Sequence, residues 1–246
     1  MYFQDYIWFI IAIAVCMLIS LWANAKVHSA YEKYGRVYTR SGMDGYNTAL
    51  TLLRSNGVYD VSVGRVEGNL TDHYHPKKGV VNLSQGVYAN SSVASVAIAA
   101  HEVGHVMQNK KGYLFYNFRT ALVPIVNIGS RLAMPLVVIG LLIDLLATSA
   151  DAKTGFYIAM VGVVLYGGAF LFSLITLPVE LNASKRAKKM LLESGILYED
   201  EIKGANAVLS SAAFTYLASL LTSFVYFMRF LLYVLTIFGR RNNNRR

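Results

Sequence analysis

His101, Glu102 and His105 lie within one five-residue stretch, His101-Glu102-Val103-Gly104-His105. On an α-helix, residues four apart sit one above the other. The two histidines can therefore aim both imidazoles at a single metal ion. Glu102 projects about 100° round from His101, within reach of a water on that ion without ligating it. Two imidazoles on zinc beside a carboxylate that serves as general base are the parts of a metal-dependent peptidase. The competing reading is a pair of helix histidines that merely satisfy core hydrogen bonds, and the rest of the chain must decide between them.

A catalytic zinc takes three protein ligands and keeps a position open for water. One class of such enzymes places a third histidine six residues after the second, with a glycine between. Lys111 and Gln108 occupy those positions here, which excludes that class. His28, His73 and His75 all precede the motif. His73 and His75 share one strand face at period two, and are either alternative ligands or exposed turn residues beside Pro76. Among the carboxylates Glu180 has the best context. It is expected to open a helical segment over residues 180–187 just after Pro178, where proline and a carboxylate both favour a helix start. Glu180 is thus either a simple cap or the missing ligand.

The elements that position these residues include membrane spans. The chain is 55% hydrophobic, with mean hydropathy +0.41. The excess falls in four blocks, residues 6–25, 122–147, 155–177 and 212–238. Each reaches the roughly 20 residues needed to cross a bilayer. The first block also reads as a cleaved signal peptide. It lacks a preceding Lys or Arg, carries Asp5 instead and exceeds the usual signal core, which favours a retained anchor. Arg131, four residues after Asn127, either belongs to a polar face of the second span or marks its interface. Four spans put both termini on one side, and residues 26–120 and 180–211 on the other. Glu180 then shares a membrane face with the histidines.

Lys26, Lys33, Arg36, Arg40, Lys110, Lys111, Arg119, Lys185, Arg186, Lys188, Lys189 and Lys203 flank the spans on that face. They outnumber Lys153, Arg240, Arg241, Arg245 and Arg246 on the other, so the positive-inside rule puts the active site in the cytoplasm and the protein in the cell membrane. The Arg-rich tail argues the opposite way. The net charge of +9 suits a partner in the lipid bilayer with its anionic head groups, and no motif reads nucleic acid. The single cysteine, Cys16, permits neither a disulfide nor a cysteine zinc site within one chain.

Between the spans, Asp44 caps a short helix that Asn56-Gly57 ends. Alternating Val61, Val63 and Val66, a turn at Gly68-Asn69, residues 70–74 and residues 80–83 predict a small β-sheet. A helix capped by Ser91 or Ser92 runs over residues 93–109 and carries the histidines. Gly104 between them costs helix stability, a cost explained if another backbone packs against it beneath the metal. An exposed edge at Val80, Val81, Asn82 and Leu83 would pair with an extended peptide substrate through main-chain hydrogen bonds.

The fold class is a mainly α integral membrane protein, with about four transmembrane helices and a membrane-proximal, zincin-like α+β catalytic domain carrying the sheet. Its parts are an anchor (1–25), a catalytic region (26–120), a transmembrane hairpin (121–179), a helix with the third ligand (180–211), and a last span with the basic tail (212–246).

Asn82-Leu83-Ser84, Ala99-Ala100-His101-Glu102-Val103-Gly104-His105 and Leu177-Pro178-Val179-Glu180-Leu181-Asn182-Ala183-Ser184 together resemble the bacterial YugP-like neutral zinc metallopeptidases, integral membrane relatives of the HtpX type of peptidase. The resemblance covers nearly the whole chain. It implies that His101, His105 and Glu180 bind one catalytic zinc ion and that Glu102 is the base. Related peptidases often carry an aspartate four residues after the glutamate ligand to orient a metal-bound histidine. Here that position is Ser184, with Asn182 nearby, and neither adds a negative charge.

The expected activity is hydrolysis of peptide bonds in membrane-associated or unfolded proteins. The alternative is a zinc-binding scaffold or partner of a quality-control protease. A membrane-protein partner or a homo-oligomer is compatible with either. A transporter would need more ionisable groups at the bilayer midplane than Arg131, Asp144 and Arg229 supply.

Overall fold

The computed structural model describes residues 2–146 and 153–244. The orientation expectation drawn from Arg245 and Arg246 falls outside those residues, as do the side chains of Asp5, Asp144, Lys153, Arg240 and Arg241. In chain order the elements are α1 (Tyr2–Gly35), α2 (Gly45–Ser55), β1 (Ser62–Val66), β2 (His73–His75), β3 (Val80–Ser84), α3 (Gln85–Tyr88), α4 (Val93–Lys110), α5 (Leu114–Leu146), α6 (Lys153–Glu193) and α7 (Ile202–Asn244). Among the described residues α1, α5, α6 and α7 are long and apolar enough to cross a membrane.

Local chemistry explains where the shorter helices begin. Asp44 accepts the Asn47 N–H at 2.8 Å ahead of α2, and Ser92 accepts the Ser95 N–H at 3.2 Å ahead of α4. The long helices are less interrupted than the sequence pattern suggests. Pro178 lies inside α6, which runs unbroken from Lys153 to Glu193, so Glu180 does not open a helix and is not a cap. The hydroxyl of Thr176 donates to the Phe172 carbonyl at 2.7 Å and that of Ser173 to Ala169 at 3.2 Å. Such bonds are among the adjustments that let a proline sit within an apolar helix.

The chain groups into two compact units, residues 1–19, 118–176 and 217–246 in one, and residues 20–117 and 177–216 in the other. The second unit holds a continuous core that includes Leu52, Leu53, Leu83, Val96, Val103 and Leu191, drawn from α2, β3, α4 and α6. Its sheet has the order β1-β3-β2, with β1 parallel and β2 antiparallel to β3. Strand β3 is therefore central. Val80, Val81 and Asn82 are paired on both sides and Leu83 with β1, and the expectation that this strand offers a free edge to a peptide is overturned. The reason lies in the turns. The chain reverses at Pro76–Gly79, where Gly79 has φ 59°, and pairs β2 with β3, while β1 joins the other side of β3 by a non-local parallel contact. In the first unit Val137, Ala159, Val163 and Val234 form a small buried cluster.

Candidate metal centre

Helix α4 supplies His101 and His105, and α6 supplies Glu180. His101 Nε2 lies 3.1 Å from Glu180 Oε2, and His105 Nε2 lies 3.4 Å from the same oxygen. One donor atom from each of the three residues falls within 4.8 Å of the others, a grouping able to hold a metal ion. Two imidazole nitrogens and one carboxylate oxygen match the ligand chemistry of zinc. Glu180 is 2% exposed and His105 7%, so the donors are shielded and held in place by packing.

The approach of α6 to α4 depends on a missing side chain. A Cβ on Gly104 would stand 2.6 Å from the carbonyl oxygen of Ala183, closer than real contacts allow. The glycine between the histidines thus lets a second backbone pass beneath the donors, as its helix-weakening presence suggested.

Glu102 is buried. Burial in the core pushes its carboxyl up to about 7, with Glu180 and Asp72 acting in the same direction and His101 opposing them. Together with His101 it lines a cavity of about 410 Å³. Asp72, Leu70 and Ile98 form further walls, and His28 and Tyr31 of α1 and Leu209 of α7 close it. Leu70 takes a left-handed backbone, φ 55°, an unusual conformation for a branched side chain.

The histidines have different outer partners. Ser184 Oγ lies 3.2 Å from His101 Nδ1. His105 Nδ1 instead meets Gln108 Oε1 at 3.0 Å. Asn182 does not touch a histidine directly; its Oδ1 accepts from Gln108 Nε2 at 3.0 Å. Sequence reasoning used Gln108 only to exclude a ligand class. Its position one turn after His105 was the signal available.

His73 and His75 stay outside the donor group. His73 Nε2 lies 3.0 Å from Asn82 Nδ2 across the sheet, and His75 Nδ1 accepts the Lys78 N–H at 3.3 Å. Asp72, which carried no expectation, reaches the cavity because the loop before β2 bends back, with its carboxylate accepting the Ser84 N–H at 2.7 Å and the Ser84 hydroxyl at 2.9 Å.

A protein-family model described as "Putative neutral zinc metallopeptidase" matches residues 9–235. The chain is 40% identical over 235 residues to "Putative membrane protease YugP" of Bacillus subtilis (strain 168), covering 96% of this chain and 99% of that relative. No solved structure matches it significantly. With zinc as the family's metal, His101, His105 and Glu180 form a cluster that could bind it. A match over nearly the full length, through all four apolar helices, makes the chain a member of the neutral zinc metallopeptidase family.

Proposed function

We propose that this protein is a zinc-dependent endopeptidase that hydrolyses peptide bonds of membrane-associated or unfolded proteins. His101, His105 and Glu180 hold the metal in this reading, and Glu102 is the general base. The observation that carries it is the placement of Glu102 on the same cavity wall as His101, while Glu180 takes the inner side of the donor group. A bound zinc ion supplies a Lewis acid for the scissile carbonyl and lowers the pKa of a water towards neutrality. Glu102 takes a proton from the attacking water and returns it to the leaving amine. Only three donors converge among the described residues, which suits catalysis better than the four-ligand closure of a structural zinc site.

The decisive comparison is wild type against Glu102→Gln and Glu180→Ala, with zinc content and cleavage of casein or a membrane peptide measured for each. Glu102→Gln should keep zinc and lose cleavage by about 10²–10⁴-fold, the usual worth of a positioned base. Glu180→Ala should lose zinc. Undiminished cleavage by Glu102→Gln removes the enzymatic reading, and zinc retained without any cleavage by wild type favours the scaffold. We further propose that the site faces the cytoplasm from the cell membrane, on the balance of basic residues flanking the spans. Labelling of a cysteine introduced at exposed Lys185 by an impermeant reagent added outside intact cells would reverse that assignment.

A further inference from the structure

Gln108 is fully buried on α4, and its amide is committed in every direction. Nε2 donates to the Val179 carbonyl at 2.7 Å and to Asn182 Oδ1 at 3.0 Å. Oε1 faces His105 Nδ1 at 3.0 Å. Two neighbours fix this orientation independently. A main-chain carbonyl can only accept, so Val179 requires the nitrogen of Gln108. Asn182 Oδ1 also accepts the Arg186 Nε–H at 2.8 Å, and a guanidinium can only donate. Asn182 must therefore present its oxygen, and Gln108 its nitrogen, at their contact. The atom left for His105 is an acceptor. His105 then carries its proton on Nδ1, and its free lone pair on Nε2, the nitrogen that faces Glu180.

We infer that Gln108 is the positioning residue of the metal centre, fixing His105 in the tautomer that ligates through Nε2 and tying α4 to α6 at the residue before Glu180. The inference rests on the proposed reading of His101, His105 and Glu180 as ligands. It separates the two histidines. The Ser184 hydroxyl beside His101 can donate or accept, so it imposes no tautomer. His105 arrives preorganised by a chain that runs through Gln108 and Asn182 to Arg186; His101 adapts.

The test uses the full chain in lipid nanodiscs, loaded with zinc and labelled with ¹⁵N-histidine, with His105 assigned by difference from His105→Asn. Wild type should show a His105 Nδ1–H protected from solvent exchange, and the metal on Nε2. Gln108→Leu, similar in volume but without polar atoms, should lose that protection. Its zinc affinity in chelator competition should fall by about 10–100-fold, the usual cost of removing a ligand's outer partner. Gln108→Glu keeps an acceptor for Nδ1–H and should restore the protected proton, although it cannot donate to Val179.

Metal on His105 Nδ1 in wild type, or unchanged zinc affinity in folded Gln108→Leu, overturns the inference. If Gln108→Leu fails to fold, the wild-type ring signal decides alone. None of these measurements needs cleavage. A chain that binds zinc through His105 Nε2 but hydrolyses nothing would sink the proposed activity and leave Gln108 in place. A chain that cleaves with His105 bound through Nδ1 would do the reverse.

Discussion

The two compact units are built on different packing rules. The unit that carries the candidate metal centre buries a large aliphatic core, with Leu52, Leu53, Leu83 and Leu191 fully enclosed. The other buries chiefly small side chains. Gly162 lies against the Ala133 carbonyl, Gly140 against Gly155 and Ala159, and bulky residues such as Ile128 and Leu142 point outward. In water, removing aliphatic surface drives assembly. Lipid tails are as apolar as leucine, so spans associate through close backbone approach instead. The comparison teaches that the same residue type carries different energy in the two units.

Truncation should break the comparison most sharply. Leu83→Ala in β3 should cost about 2–5 kcal/mol by leaving a cavity in the enclosed core, read by chemical unfolding in detergent. Ile128→Ala, at a side chain 62% exposed, should stay within about 0.5 kcal/mol. Equal losses at both sites would show that the outward face of the first unit is packed against protein and not lipid.

A matched pair of glycines sharpens the contrast. A Cβ at Gly104 would stand 2.6 Å from Ala183 O, and one at Gly162 would stand 2.6 Å from Ala133 O. Both alanine variants should lose about 1–3 kcal/mol from overpacking. Only Gly104→Ala should also weaken zinc binding, because only there does the displaced backbone carry a donor. A comparable fall in zinc affinity for Gly162→Ala would contradict that separation.

The smallest expected effect is a pH dependence. Burial raises the carboxyl of Asp72 above its ordinary 3.8, against the bonds from Ser84. The fold therefore prefers the protonated form. That contribution to stability is complete below 3.8 and is lost as pH rises through the raised folded value. Asp72→Asn keeps an acceptor for the Ser84 N–H and a donor for its hydroxyl. It should flatten this part of the profile of unfolding midpoint against pH, and a profile that keeps the wild-type slope would assign it to another group.

Much of this could be read along the chain because it is local. The histidine spacing, the Asp44 and Ser92 caps and the four apolar runs each depend on residues a few positions apart. Gly104 was legible as a cost that needed a reason, though not as a contact with Ala183 in particular. Two misreadings share a cause. Pro178 carries a strong local signal for a helix start, yet the surrounding apolar helix continues through it. The central position of β3 depends on a parallel pairing with β1 that no local pattern encodes. Gln108 was passed over because its value appears only once Val179 and Asn182, some 70 residues later, are brought beside it.

The contact between Gly104 and Ala183 also bears on how freely this chain can vary. Where two helices meet through interlocking side chains, a loss on one side can be offset by a gain on the other, and such cores drift by exchange of volume. Here a main-chain carbonyl fills the space, and no smaller side chain than glycine exists to compensate. The crossing therefore offers no neutral path through paired substitutions. Around it the aliphatic core can repack; at this one point the spacing between the histidines and the glutamate is written into the backbone itself.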